Sequence, residues 1–377
     1  MKSRINDVIE AKKEKLTALS DAIWDVPETA FTEFQSVKLL CDRLKSEGFE
    51  VEEGVGGVQT AFTGKFGSGK PVIGILGEFV ALSGLSQVSG LPEKQAAVKG
   101  GNGHGCGHHL LGTGSLAAVD ALKTYMEQNN LSGTIRYYGC PAEENAGGKA
   151  YLVRDGYFDD CDVALTWHPF AINKAMKGGY HLANFRAFFT FHGISSHAAG
   201  APELGRSALD AVEVMDIGVN FMREHMIDAA RVHGAITNSG GIAPNVIPSE
   251  AQILYAIRAP KVTQVKQLFD RMCDIAKGAA LITGTTVDIK QVAAYSDVVN
   301  NDTLNEMIEE NLKAIVPIGY TEEELEYARK FQEVTTVLDK EGLKSMAGEL
   351  GKKDQLPNPI WDFIVEKNTG ISFILPM

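Results

Sequence analysis

Three stretches in the first half of the chain each bring metal-ligating residue types to an apolar run or a glycine-rich turn. That arrangement restricts the fold more than any other feature. Gly-His-Gly-Cys-Gly-His-His at 103–109 comes first, then Cys-Pro-Ala-Glu-Glu at 140–144, then Thr-Trp-His-Pro at 166–169. The run Pro-Val-Ile-Gly-Ile-Leu-Gly at 71–77 is short and apolar, as a buried parallel strand should be. Residues 134–139 and 162–167 read as further strands, one leading to Glu143 and Glu144, the other to His168. A helix is predicted over 110–127, directly after the Cys/His cluster. Helices over 4–26 and 30–47 and a strand over 59–66 extend the alternation. The implied fold is α/β, a mixed sheet with helices on both faces and its chemistry at the strand ends.

The pattern changes near residue 180. Residues 184–192 are aromatic and β-prone; a helix is predicted over 206–222 and strands near 231–238 and 251–258. A helix with Val265, Leu268, Phe269, Met272, Ile275 and Ala276 on one face follows, then a strand near 285–293. This strand-helix-strand-strand-helix-strand order is the split βαβ, ferredoxin-like layout. The predicted division is a first domain over 1–178 and 295–377 and an inserted α+β domain over 179–294, with helices near 302–315 and 321–333 after the return.

A length of 377 residues suits two domains with sizeable cores. The net charge of −12 argues against nucleic acid or an anionic membrane as a partner. No run approaches the ~18 apolar residues of a membrane span, and the Lys/Glu-rich first 19 residues hold no apolar signal core. Five scattered cysteines fit a reducing cytoplasm better than a disulfide framework.

Cys106, His108, Glu144 and His168 offer a thiolate, two imidazoles and a carboxylate, a donor set for zinc or a similar divalent ion. Glycines at 101, 103, 105 and 107 let the backbone bend tightly around such an ion. Glu143, beside Glu144, is the candidate proton acceptor. In the second domain His197, Asn245 and Arg258 stand out only weakly; each is equally a turn or surface residue.

These segments resemble the carboxypeptidase-G/aminoacylase type of metallopeptidase, an amidohydrolase family. The similarity extends to 205–212, 236–245 and 257–260 and covers most of residues 5–335. The resemblance implies a zinc-peptidase-like catalytic domain with two metal ions, zinc or manganese, and an inserted dimerisation, or lid, domain. It implies Cys106, His108, Glu144 and His168 as ligands and Glu143 as general base. His197 is implied as a lid residue that steadies the oxyanion of the partner's site in a homodimer. Asn245 and Arg258 are implied at the substrate carboxylate. Substrates of the group are N-acyl amino acids and dipeptide-like amides, with aminobenzoyl-glutamate for the branch matched; a related hydrolase subunit is a further partner the branch implies. Two departures stand out: no His follows His233, and Val80 occupies a position where the family carries an acid. The expectation is therefore one tightly bound ion and weak or absent hydrolysis, the alternative being a truncated or degenerate non-catalytic member.

Overall fold

Alternation along one strand explains how the first sheet is buried. In the computed structural model, which describes residues 2–144, 147–175 and 182–365, the first ten elements are α1 (Lys2–Ala11), α2 (Lys13–Trp24), α3 (Phe34–Ser46), β1 (Glu50–Glu53), β2 (Phe62–Ser68), β3 (Val72–Glu78), α4 (His108–Asn129), β4 (Gly133–Cys140), α5 (Gly148–Arg154) and β5 (Val163–Leu165). The sheet order is β1-β2-β4-β3-β5. β3 runs parallel to β4 and β5, and β2 runs antiparallel to β1 and β4. Ile135 and Tyr137 of β4 pack with Leu16, Leu19, Leu40, Leu44, Leu116 and Val119 from α2, α3 and α4. Tyr138 and Cys140 of the same strand pack with Val55, Val58 and Leu152, the last from α5. Successive side chains point to opposite faces, so both faces carry a core, as the parallel strands require.

Two helix boundaries differ from the sequence reading. The helix predicted over 4–26 breaks at Lys12, whose backbone leaves the helical region at φ −107°, ψ 3°. There its ammonium reaches Glu47 at 2.7 Å and the buried Asp120 at 2.7 Å. The helix predicted from residue 30 starts at Phe34. Phe31 instead adopts φ +62° and sets its ring edge-on to Tyr151, 5.9 Å between centroids.

By compactness the chain divides into Met1–Ala175 with Glu309–Thr369, and a second unit that runs from Met176 to Ile308. The second unit contains β6 (Ala183–His192), α6 (Ala208–Arg223), β7 (Arg231–Asn238), β8 (Glu250–Ala259), α7 (Val262–Thr283) and β9 (Thr286–Tyr295). Its strands pair antiparallel in the order β7-β8-β6-β9. Phe189 and Phe191 of β6 and Ile253, Tyr255 and Ile257 of β8 pack on Val212, Met215 and Val219 of α6 and on Leu268, Met272 and Ala276 of α7. α8 (Asp302–Lys313) spans the return, followed by α9 (Glu322–Val334) and α10 (Val337–Leu350). Tyr327 of α9 donates a hydrogen bond to the Gly90 carbonyl of the first unit at 2.9 Å.

Among the described residues no helix is long and apolar enough to cross a membrane, and the five cysteines are free thiols.

Candidate metal centre

Because β3, β4 and β5 are parallel, their C-terminal ends lie along one edge, where such sheets bind ligands. β3 ends at Glu78 and β4 at Cys140, three residues before Glu143; β5 ends at Leu165, three before His168. α4 begins at His108, after Gly107 in the left-handed region at φ +74°. A Cβ on Gly107 would stand 2.9 Å from Cγ of Pro169, so the turn holding Cys106 and the loop holding His168 meet at a distance only glycine permits. A Cβ on Gly112 would stand 2.7 Å from the Glu78 carbonyl oxygen, so α4 lies hard against the end of β3. That neighbour is backbone and cannot rotate away. Gly112→Ala is therefore expected to cost about 1–3 kcal/mol and to lower the thermal midpoint; an unchanged midpoint would show that α4 and β3 separate freely.

The side chains that meet here come from four segments. Cys106 Sγ lies 3.3 Å from His168 Nε2. His168 Nδ1 lies 2.8 Å from the Pro169 carbonyl; the carbonyl can only accept, so the proton sits on Nδ1 and the Nε2 lone pair faces the thiol. The His108 and His168 rings stand edge to face, 5.4 Å between centroids. His108 Nε2 is 3.4 Å from Glu78 Oε2, 3.8 Å from Glu144 Oε1 and 3.9 Å from Glu143 Oε2. The side chains of His108, Glu78 and Glu144 are 0%, 8% and 7% exposed, and that of Glu143 is 42% exposed.

Two sets of donor atoms are close enough to share an ion: Cys106, His108 and His168, and Glu78, His108 and Glu143. Glu144 approaches His108 but falls in neither set. The fit to a cation rests on His108. It is completely buried, yet neither ring nitrogen makes a hydrogen bond, a costly arrangement unless something charged occupies the space that Nε2 faces. Two donors about 2.1 Å from one tetrahedral ion stand roughly 3.4 Å apart, the spacing found between His108 and Glu78.

Burial, then the Glu144 charge, hold the Cys106 thiol well above the usual thiol range, and burial pushes Cys140 up to about 12. Without a cation neither is a ready thiolate, so a thiol enzyme gains no support. Burial lowers His104 and His109 to about 4. They are neutral packing groups: His104 donates from Nε2 to the Ile23 carbonyl at 3.0 Å, and His109 meets Trp24 edge-on at 5.0 Å.

Three contributors escaped sequence reasoning. Glu78 is one. Lys149 of α5 pairs its ammonium with Glu78 Oε1; burial opposes that charge, but Glu78 and its neighbours more than restore it, so the pKa stays raised. Glu33 is fully buried and accepts the Ala142 N–H at 2.7 Å, while Ala142 itself sits at φ +57° just before Glu143. Glu78 directly follows the apolar run and could have been noticed there; Val80, two residues on, is buried and 1% exposed. Nothing local to Glu33 or Lys149 signals a role.

His197, Asn245 and Arg258 all lie in the second unit. His197 bridges Val246, and the Asn245 carbonyl accepts from Ala198 N at 3.0 Å, so the first two are neighbours. His197 Nδ1 accepts from the backbone N–H groups of Ala199 at 3.2 Å and Gly200 at 3.0 Å. Its neutral tautomer therefore carries the proton on Nε2, as a donor. Arg258 lies on β8 opposite Asn184 and Arg231. Its pKa is lowered by burial and then by the charge of Arg186.

An α/β sheet with thiol, imidazole and carboxylate donors gathered at its parallel strand ends is a candidate metal site of the kind metal-dependent hydrolases use. The sequence model of peptidase family M20/M25/M40 matches residues 87–355. A p-aminobenzoyl-glutamate hydrolase subunit of Escherichia coli (strain K12) is 48% identical over 352 residues, which cover 92% of this chain and 73% of that relative. An aminobenzoyl-glutamate utilization protein from Klebsiella pneumoniae has the same fold, with TM-score 0.65 and 19% identity over 88% of this chain and 91% of its own. So has a dinuclear metal binding peptidase from Bacillus subtilis, with TM-score 0.53 and 20% identity over 80% of each chain. The chain belongs to peptidase family M20/M25/M40. It is a hydrolase of amide bonds.

Proposed function

We propose that this chain cleaves the amide bond of an N-acyl amino acid, with aminobenzoyl-glutamate or a similar folate fragment as substrate. The observation that carries the reading is the buried His108 imidazole, unsatisfied by any hydrogen bond, between a Cys106–His168 pair and three carboxylates. The 48% identical relative supports the choice of substrate.

In this reading Cys106, His108, Glu144 and His168 hold a divalent ion, zinc or manganese. When bound, the ion polarises the scissile carbonyl and acidifies water. Glu143 takes the proton from the attacking water and returns it to the leaving amine. Its 42% exposed side chain can meet both, whereas Glu144 at 7% is placed to stay with the ion. As a lid residue His197 offers its Nε2–H to the oxyanion developing in the partner subunit's site of a homodimer, and Asn245 and Arg258 are the lid residues for the substrate carboxylate. The test is release of aminobenzoate from aminobenzoyl-glutamate by the metal-loaded chain, with metal content measured on the same sample. Cleavage is expected, in place of the weak or absent hydrolysis that Val80 and the lack of a His after His233 suggest, because the chain belongs to a family of amide hydrolases; bound metal without cleavage would leave a binding protein.

The same reading places the protein in the cytoplasm as a homodimer joined through residues 179–294, with a related hydrolase subunit as the alternative partner. β7 is an edge strand with every residue but Val232 exposed. Val212 is spent in the core of its own domain, so α6 offers Ile217 and Phe221 instead, 54% and 70% exposed. Light scattering at micromolar concentration is expected to give twice the chain mass; a monodisperse monomer would refute the dimer.

A further inference from the structure

The two oxygens of Glu78 face different partners. Oε1 pairs with the Lys149 ammonium, while Oε2 stands 3.4 Å from His108 Nε2, nearer than Glu144 at 3.8 Å or Glu143 at 3.9 Å. That gap is too long for a good N–H···O bond, and His108 Nε2, though fully buried, has no hydrogen bond. The separation is instead that of two donors around one small cation. An imidazole nitrogen has one lone pair and holds one ion. Both donor sets include His108, and one of them brings Glu78, His108 and Glu143 within reach of one ion.

We propose that Glu78 is a metal-ligating carboxylate on the ion held by His108, and that Lys149 is its positioning residue. The assignment rests on the metal centre proposed above. Lys149 engages one oxygen and leaves the other aimed at Nε2, so the carboxylate needs no reorientation when a cation arrives. Glu78 then supplies from β3 the acid that Val80 cannot. The rival role for Glu78 is structural: a counter-charge for Lys149 that never touches the ion. The rivals separate when both charges are removed together, because a missing ligand stays missing while a missing counter-charge no longer matters.

The experiment is a Co²⁺ titration of the metal-free full chain, followed by thiolate-to-cobalt charge-transfer absorption. Wild type is expected to develop the band. Glu78→Gln should need at least 10-fold more Co²⁺ for half-saturation, and the double variant Glu78→Gln/Lys149→Met should remain at least 10-fold weaker than wild type. A double variant within 10-fold of wild type overturns the assignment and leaves Glu78 as a counter-charge. No charge-transfer band in wild type takes Cys106 out of the coordination shell, and the same titrations are then read by Co²⁺ d–d absorption; a wild type that binds no Co²⁺ by either band overturns the metal centre. Circular dichroism of the metal-free proteins checks folding. If the single variant does not fold, the double variant, which leaves no uncompensated charge, decides the matter alone.

Discussion

Glu143→Ala is expected to lower kcat for aminobenzoyl-glutamate by about 10³-fold, the middle of the range for removing a positioned general base. Metal affinity should stay within about 3-fold, because Glu143 is the most exposed of the three carboxylates near His108 and the farthest from its Nε2. With the base gone, the attacking water keeps its proton and the amine leaves without one. Adding metal should not recover the rate. A variant that retains more than a tenth of wild-type kcat would remove Glu143 from the mechanism.

His108→Ala should fail differently. His108 is common to both donor sets, so its loss is expected to weaken metal binding by at least 100-fold, with activity falling in parallel. Part of the rate should return at high metal concentration, which distinguishes this variant from Glu143→Ala. Stability gives a second reading. Metal at 100 times its Kd stabilises wild type by about 2.7 kcal/mol, and at that concentration the variant's thermal midpoint should barely rise above its metal-free value. An equal metal-induced rise in both proteins would show that His108 is not a ligand.

Much of this architecture was legible because its elements carry strong local patterns. The apolar run before Glu78 could hardly be anything but a buried strand. The spacing of Val265, Leu268, Met272 and Ala276 matches the buried face of α7. What escaped the sequence lacks such a pattern. β1 is a four-residue edge strand, Glu-Val-Glu-Glu, with a single apolar residue. α5 is seven residues long and opens on glycine. The break at Lys12 depends on Asp120, 108 residues away, which no local window contains. The site divides in the same way. Cys106, His108, Glu143 and His168 announce themselves in short motifs. Glu78 acquires its meaning only once Gly112 presses α4 against the end of β3, and Glu33 only once its carboxylate reaches Ala142 across 109 positions.

Ala142, one residue before Glu143, sits in the left-handed region at φ +57°. An alanine in the left-handed region costs roughly 1–2 kcal/mol, a strain glycine does not feel. Glu33 counters that strain by accepting the Ala142 N–H. Glycine at 142 would relax the backbone at no steric cost. The same exchange would widen the range of orientations open to Glu143, one residue on. Ala142→Gly is expected to trade the relief of that strain against a buried methyl group and a freer backbone in the unfolded chain, and to loosen the turn that carries Glu143.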